Sequence, residues 1–272
     1  MISVLNSVSQ LSTENALSST QASLQNSLLQ LSTGLKINSG ADDPAGLSIA
    51  AGLGANIAAL TQSSQNASNG VGVLQTADGA LSQVTSLLNQ AVTIATEASN
   101  GQLTTAQATA ANTEFQSILS EITQIGSTTN FNGTSVFSAT PITVFTSDGT
   151  SGGTTTTSTT TGTLSSTTLA LNSTALTTAT GAASALTAIT AAINTVSATR
   201  GAIGASVNQL TADSGVENTE ITNLTSAQNN VQNADIGSVV SKMTQYNVLE
   251  QTGMAALSQD NSAEQNVLKL LQ

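Results

Sequence analysis

The residues of this sequence best suited to chemistry are its clustered carboxylates. Asp42 and Asp43 are adjacent, and Asp213, Glu217 and Glu220 recur at about one helical turn. Paired carboxylates can ligate a metal ion, but no further ligand lies near Asp42 and Asp43 in sequence. We therefore interpret this pair as a helix cap. We interpret the second cluster as a solvated helix face.

Two residue types that enzymes often use for catalysis are missing from the sequence. The 272 residues include no histidine and no cysteine. This excludes imidazole bases, thiolate nucleophiles, disulfides and nearly all zinc sites. We therefore predict a protein that is not an enzyme and that has no catalytic, cofactor-binding or metal-binding residues.

Charged residues are scarce, and most of them are acidic. Only 7% of the residues are charged, and the formal net charge is -11. The four cations, Lys36, Arg200, Lys242 and Lys269, are scattered, so they offer no surface for phosphate groups. We predict neither nucleic acid nor a membrane as a partner, and we recognise no apolar run long enough to cross a bilayer. Because few ion pairs can be lost, we expect acid to lower the free energy of unfolding only slightly.

Two long stretches carry heptads that require a helical partner. Seam residues step by three and four positions from Leu74 to Ala98, and again from Leu186 to Val231. The simplest partner of the first helix is the second, folded back antiparallel. Arg200 falls on the second seam, where it could extend its charge to solvent or pair with a carboxylate such as Glu97 or Glu114. The predicted core residues are Leu74, Leu81, Val84, Leu88, Phe115, Ile122, Ile189, Ile193, Val196, Ile203, Val207, Leu210 and Leu224.

The whole pattern predicts a mainly α fold. It would be a long antiparallel helical rod with coiled-coil-like terminal helices and a small β-hairpin and Ser/Thr-rich tip. Helices are expected over about 3–33, 44–98, 105–125, 182–233 and 236–259. A capping box is expected at Thr104 and Gln107, and Gly126 is expected to end the third helix. A hairpin is expected around Pro141, between residues 136–137 and 142–145.

Residues 31–50, which include Asp42, Asp43 and Pro44, resemble the joint between the terminal and rod helices of bacterial flagellin, the subunit of the flagellar filament. Residues 69–81 resemble the next family signature, and residues 130–133 the turn before the outer hairpin. Residues 234–236, 243–245, 249–253 and 265–271 resemble the closing helix. The motifs occur in the family's order and cover about 1–137 and 182–272.

The resemblance implies a structural subunit that self-assembles into the bacterial flagellar filament, for motility. It implies an inner, tube-lining domain with its N-terminal helix and joint in 1–43 and its C-terminal helix in 234–272. Residues 44–137 and 182–233 would form the two halves of a rod domain, and 138–181 a short variable outer segment. The implied partners are identical subunits, the flagellar export apparatus, an export chaperone, and cap and junction proteins. The implied location is extracellular, on the flagellum, after secretion without a cleaved signal peptide; the first cation is Lys36, so no basic leader is present.

The apolar stripes of residues 3–33 and 236–271 have no obvious core within the chain once the heptads are matched. We therefore expect them to be poorly ordered in a free subunit and to fold on binding to other copies. A face that binds a different face of the next copy gives a filament when the rotation does not close. The predicted self-assembly residues are Leu5, Val8, Leu11, Leu17, Leu24, Leu28, Leu31, Leu35, Val239, Met243, Tyr246, Leu249, Leu257, Val267, Leu268, Leu270 and Leu271.

Residues 88–94 resemble the stretch that docks the Toll-like innate receptor in many flagellins. The family segment has arginines where this chain has Gln90 and Val92, and Ile94 follows them. Arginine is a typical interface hot-spot residue, so we expect weak or absent receptor activation.

Two other kinds of protein remain open at this point. A hook–filament junction protein would share the terminal helices but occur in few copies. A secreted coiled-coil adhesin or effector would stay soluble or form an oligomer of fixed size. Without the motifs, the heptads alone would indicate only an intramolecular core.

Overall fold

The computed structural model describes residues 2–147 and 155–271, with side chains at 8–147, 155–263 and 265–266. Its helices are α1 (Ile2–Thr33), α2 (Pro44–Ser99), α3 (Thr105–Thr128), α4 (Ala179–Gln232) and α5 (Ile236–Leu271). Its strands are β1 (Asn130–Phe131), β2 (Thr134–Ser135), β3 (Ile142–Phe145) and β4 (Thr156–Thr159). The predicted mainly α fold is confirmed, and the structure adds two small antiparallel strand pairs.

The chain divides into two compact units. The terminal unit comprises Met1–Ala55 and Leu224–Gln272, and the central unit comprises Asn56–Asn223. Helices α2 and α4 contribute residues to both units, α1 and α5 lie in the terminal unit, and α3 and the strands lie in the central unit. The predicted division into inner, rod and outer parts stays a prediction.

The core of the central unit forms where one face of α2 meets one face of α4. Every seam residue that was identified between Leu74 and Ala98 is buried, with at most 4% exposed. Their partners on α4 include Ile189, Ile203 and Leu210, all buried in the same cluster. The two helices run antiparallel, as predicted, because Ser63 of α2 contacts Glu217 of α4 whereas the later Asp78 contacts the earlier Arg200. A seam of Leu, Ile, Val and Ala lets them pack closely with few aromatic side chains.

Helix α3 covers this core with an amphipathic face. Phe115 and Ile122 are fully buried on it. The predicted capping box is confirmed, since the Thr104 hydroxyl accepts from the Gln107 N–H and the Gln107 side chain accepts from the Thr104 N–H. Gly126 does not end the helix, which continues to Thr128. A Cβ at Gly126 would lie 1.9 Å from the Leu164 carbonyl oxygen, so glycine is needed there for close approach of two backbones.

The predicted hairpin around Pro141 is wrong. Strand β3 pairs antiparallel with β4, with Ile142 opposite Thr159, while β1 and β2 form a separate pair. Val136 and Phe137 are buried in the core instead of pairing with β3. Burial of large apolar side chains contributes more than a short ladder, and a threonine-rich segment has the propensity to supply the second strand. Residues 148–154 of the predicted outer segment lie outside the described residues.

In the terminal unit, α1 and α5 pack against each other along their lengths. The expectation that they lack a partner within the chain is therefore wrong. They run antiparallel, because Gln10 contacts Asn261 while Gln21 contacts Glu250. Helix α5 also continues beyond the predicted end at 259, since no proline or glycine follows to stop it.

Two neighbouring aspartates stabilise the segment between α1 and α2, and each accepts hydrogen bonds from different backbone N–H groups. The carboxylate of Asp43 accepts the Gly46 N–H at 2.9 Å, which confirms it as a cap of α2. Asp42 instead accepts the N–H groups of Asn38 and Ser39, at 3.0 and 2.8 Å. These hydrogen bonds, that of Asn38 first, lower the pKa of Asp42.

The expectation that no apolar run is long enough to cross a bilayer does not hold for α2 and α4. Each contains a window of 18 residues, with mean hydropathy of 1.3 and 1.2 respectively, that by length and composition alone would suit a bilayer. The same helices carry the seam residues of the central core. Only 17% and 28% of these windows are buried, respectively, so core packing accounts for part of their composition.

Candidate interaction surface

The described large apolar side chains that stay exposed are concentrated in the terminal unit. All but Phe145 and Val216 lie there. They are Val8, Leu11, Leu28, Leu29, Ile49, Ile236, Val240, Val248, Leu249 and Met254. Exposed apolar side chains gathered in one region mark a surface that binds another molecule.

A heptad seam joins α1 to α5 in this unit, and we call it the terminal seam. Its members on α1 are Gln10, Thr13, Leu17, Thr20, Leu24, Ser27 and Leu31, all buried or half-buried. Its members on α5 are Val239, Met243, Tyr246, Glu250, Gly253, Leu257 and Asp260, again all buried or half-buried. Polar members are interspersed among apolar ones on both helices, and only Ser27 and Val239 among these members are buried. The seam thus fixes the pairing of the two helices without forming a sealed core.

Helix α1 presents an apolar stripe away from the terminal seam. Leu11 and Leu29 are 18 residues apart, which is five full helical turns, so both side chains leave α1 in the same direction. Val8 lies one turn before Leu11 and is 61% exposed. Leu17, by contrast, lies about a third of a turn around the helix, against Gly253 of α5.

Helix α5 carries a stripe of the same construction. Ile236 and Met254 are also 18 residues apart and share one direction, and Val240 lies close to it. Their exposed fractions lie between 40% and 50%. We call these exposed residues of α1 and α5, Val8, Leu11, Leu29, Ile236, Val240 and Met254, the two apolar stripes.

The predicted self-assembly residues fall into three groups. Those in or beside the terminal seam are Leu17, Leu24, Leu31, Leu35, Val239, Met243, Tyr246 and Leu257. Those that remain exposed are Val8, Leu11, Leu28 and Leu249. The side chains of Leu5, Val267, Leu268, Leu270 and Leu271 lie outside those that the structure describes.

Four of the six residues of the two apolar stripes were not predicted from the sequence. They are Leu29, Ile236, Val240 and Met254, and Val248, outside the stripes, is also exposed. The signal that identifies most of them is the 18-residue repeat, which repeats a direction on a helix without following the heptad.

The predicted core residues of the central unit are placed as follows. The buried ones are Leu74, Leu81, Val84, Leu88, Phe115, Ile122, Ile189, Val196, Ile203 and Leu210. Ile193 and Val207 are half-buried against the same cluster. Leu224 is half-buried and belongs to the terminal unit.

The receptor-like segment lies on α2. Gln90 is exposed, whereas Val92 and Ile94 are half-buried and pack against the central core. Weak receptor docking stays a prediction.

Two charged residues lie at seam positions of α4, and the structure gives each a partner that the sequence did not single out. Arg200 pairs with Asp78, not with Glu97 or Glu114, through Nε to Oδ1 at 2.7 Å. The hydrogen bond to Asp78 raises the pKa of Arg200. Glu217 is only 6% exposed, so it does not lie on a solvated face. Its place in the step of three and four was the signal for burial.

No group of three or more metal-ligating side chains occurs within the described residues. The terminal unit instead offers exposed apolar side chains, with amide and hydroxyl groups around them.

Comparison with known proteins identifies the relatives of this chain. The bacterial flagellin N-terminal helical region matches residues 4–141, and the bacterial flagellin C-terminal helical region matches 186–271. A flagellin of Halalkalibacterium halodurans is 34% identical over 248 residues, which cover 91% of each chain. The phase 1 flagellin of Salmonella naestved is 38% identical over 139 residues, which cover 51% of this chain and 28% of that protein.

Among solved structures, the crystal structure of Bacillus cereus flagellin matches with a TM-score of 0.49 and 25% identity. That match covers 56% of this chain and 88% of the other. The family regions span both ends of the chain, and one relative matches nearly its full length. The chain therefore belongs to the bacterial flagellin family and is a structural subunit of the extracellular flagellar filament.

Proposed function

We propose that copies of this subunit join one another through the two apolar stripes of α1 and α5. In this proposal the terminal seam holds the stripes in place, and the stripes themselves contact neighbouring copies. The observation that carries the proposal is the concentration of exposed apolar side chains in the terminal unit. The central unit, whose apolar side chains are mostly buried, would contribute less to these contacts.

The size of the effect supports assembly through these residues. Full burial of a Leu, Ile, Val or Met side chain contributes about 1.5–3 kcal/mol. A few such side chains per contact reach the same order as the cost of association, about 4–15 kcal/mol. Because a subunit in a helical polymer touches several neighbours, the contributions of α1 and α5 add over several contacts.

The polar character of the terminal seam supports folding coupled to assembly. Its cross-helix hydrogen bonds each join a half-buried side chain to an exposed one, Gln10 to Asn261 at 3.3 Å and Glu250 to Gln21 at 3.2 Å. Such bonds contribute little, and helices of this composition are marginal without apolar packing. The terminal unit of a free subunit would then be the less stable unit and would gain order on polymerisation.

The other expected partners would bind the same surface. An export chaperone would cover the apolar stripes before assembly, and the export apparatus, cap and junction proteins would engage the same helices. The proposal also includes export without a cleaved signal and a lack of catalysis. The absence of histidine and cysteine from the sequence supports the lack of catalysis. The relatives are named flagellins, so neither a junction protein nor an adhesin is favoured.

Serine substitutions in the stripes test this function. We expect Leu29→Ser combined with Val240→Ser to raise the concentration needed for polymerisation at least about tenfold, because two apolar contacts per subunit are lost. Sedimentation and electron microscopy of the purified protein would measure it. Circular dichroism should show that the helices of the monomer are retained.

Val216→Ser is the matched control, because Val216 is 66% exposed but lies in the central unit. We expect it to polymerise like the wild type. If the double variant also polymerised like the wild type, the stripes would not be the contact surface.

A further inference from the structure

A carboxylate is buried where the seam between α2 and α4 meets the β3–β4 pair. Glu217 accepts a hydrogen bond at Oε1 from the Ser63 hydroxyl of α2, at 2.5 Å. The same Ser63 oxygen lies 3.4 Å from the carbonyl oxygen of Phe145 on β3. The other carboxylate oxygen of Glu217, Oε2, is buried and has no hydrogen-bond partner among the described residues. Three elements thus meet at one ionisable group.

A single hydroxyl proton serves two acceptors in this cluster. Thr146 donates its N–H to the Thr155 carbonyl, so by the alternation of an antiparallel ladder the neighbouring Phe145 carbonyl faces away from β4. The Ser63 hydroxyl has one proton, which it can donate either to Glu217 or to Phe145. When Glu217 is ionised, one of these acceptors is left without a donor. Protonation of Glu217 supplies the missing donor.

The surroundings of Glu217 bring no positive charge. Helix α2 has no charged residue before Asp78, and β3 and β4 have none. On α4 the flanking groups are Asp213, which accepts from the Thr157 hydroxyl at 3.3 Å, and the exposed Glu220. The nearest cation on α4, Arg200, is 17 residues away, about 25 Å along the helix, and pairs with Asp78. Asp148, which follows β3, lies outside the described residues.

These conditions favour the neutral acid. An ionised carboxylate that is removed from water without a cation is costly, whereas a hydrogen-bonded neutral acid is much less so. Burial raises the pKa of Glu217, the hydrogen bond from Ser63 opposes the rise, and repulsion from Asp213 and Glu220 adds to it.

We propose that protonation of Glu217 links the β3–β4 pair to the α2–α4 seam through Ser63. We call this protonation-dependent pair of hydrogen bonds the clasp. With the proton bound, Glu217 donates to the Ser63 oxygen, and the Ser63 hydroxyl donates to the Phe145 carbonyl. Without the proton, the Ser63 hydroxyl turns to Glu217 and the link to β3 is lost. The central unit therefore responds to pH through one residue.

The sign of the response follows from linkage. The folded state holds this proton more tightly than the unfolded chain, in which Glu217 has its ordinary pKa of 4.5. The stability from the clasp is fully present below that value and is lost as the pH rises through the higher pKa of the folded state. Mild acid thus stabilises the central unit.

The test compares thermal unfolding of three full-length proteins, kept below the concentration at which they polymerise, between about pH 4.5 and 7.5. Glu217→Gln imitates the protonated acid, because its amide donates and carries no charge. We expect its Tm to exceed that of the wild type at the upper end of the range and to converge with it at the lower end. Glu220→Gln removes the same charge from an exposed site one turn away, and its Tm should run parallel to the wild type.

Two results would overturn the proposal. One is a Tm difference between the wild type and Glu217→Gln that stays constant with pH. The other is a Glu217 carboxyl that, followed by carbon-13 NMR in the wild type, titrates at or below its ordinary pKa of 4.5. The NMR titration decides the matter even if Glu217→Gln fails to fold. Hydrogen exchange at the Thr146 amide, corrected for its intrinsic pH dependence, should slow in acid in the wild type and in Glu220→Gln but not in Glu217→Gln.

Discussion

The terminal and central units use the same step of three and four residues and obtain different results from it. Among the described side chains, all but three of the buried apolar ones lie in the central unit; the three are Ile37, Ala50 and Val239. The terminal seam instead alternates Leu with Gln, Thr and Ser on α1. The spacing decides which faces of two helices meet, whereas the side-chain types decide whether the meeting excludes water.

The two units also respond differently to acid. In the central unit, the raised pKa of Glu217 adds stability as the pH falls toward 4.5. In the terminal unit, the lowered pKa of Asp42 means that its contribution is present above its ordinary value of 3.8 and is lost as the pH falls further. Acid should therefore strengthen the central unit first and weaken the joint between α1 and α2 only at lower pH.

The largest effect that would sharpen this comparison is expected from truncation of a leucine in each unit. Leu88 is fully buried in the central core, so Leu88→Ala should cost about 2–5 kcal/mol of unfolding free energy. Leu17 is half-buried in the terminal seam, so Leu17→Ala should cost clearly less. Urea unfolding followed by circular dichroism would measure both. Equal losses would mean that the terminal seam is as well packed as the central core.

A smaller contrast is expected between glycines within helices. A Cβ at Gly126 would collide with the Leu164 carbonyl, a backbone atom, so Gly126→Ala should destabilise the central unit by about 1–3 kcal/mol. A Cβ at Gly253 would lie 3.3 Å from the end of the Leu17 side chain, which can move aside. Gly253→Ala should therefore be neutral or stabilise α5 by up to about 1 kcal/mol. Thermal unfolding would show the opposite signs, and a loss at both positions would contradict the looser packing of the terminal seam.

The smallest effects are expected from polar pairs on the surface. Asp78→Asn should cost less than about 1 kcal/mol, because both side chains of the Arg200 pair are more than a third exposed. Added salt should shrink that cost, as measured by urea unfolding at two ionic strengths. Gln21→Ala, which removes the bond to Glu250 in the terminal unit, should cost even less and be insensitive to salt. A larger loss for Gln21→Ala would show that hydrogen bonds, not apolar contacts, hold the terminal seam.

Much of the fold could be predicted because the signals for these helices lie in residues that are close together in sequence. The heptads of α2 and α4, the capping box at Thr104 and the cap at Asp43 each depend on residues within a few turns of chain. The same local character explains why the exposed stripes were missed. Whether an apolar residue such as Leu29 or Val240 is covered depends on a partner far away in sequence, and local spacing carries no record of it.

The failures share one physical cause, which is competition between distant partners. Ile142–Phe145 paired with a threonine-rich segment because Val136 and Phe137 contributed more by entering the core. Arg200 found Asp78 because the antiparallel registration of α2 and α4 placed that carboxylate opposite it.

The sequence by itself determined the helices, their seams, the antiparallel pairing of α2 with α4 and the family to which the chain belongs. These follow from periodicity and from motifs, which are properties of neighbouring residues. Only the tertiary structure decided that α1 and α5 cover each other, which apolar side chains stay exposed, and that Glu217 is buried beside Ser63 and β3. Those outcomes depend on which surfaces compete for the same partner, and that competition is resolved only when the whole chain packs.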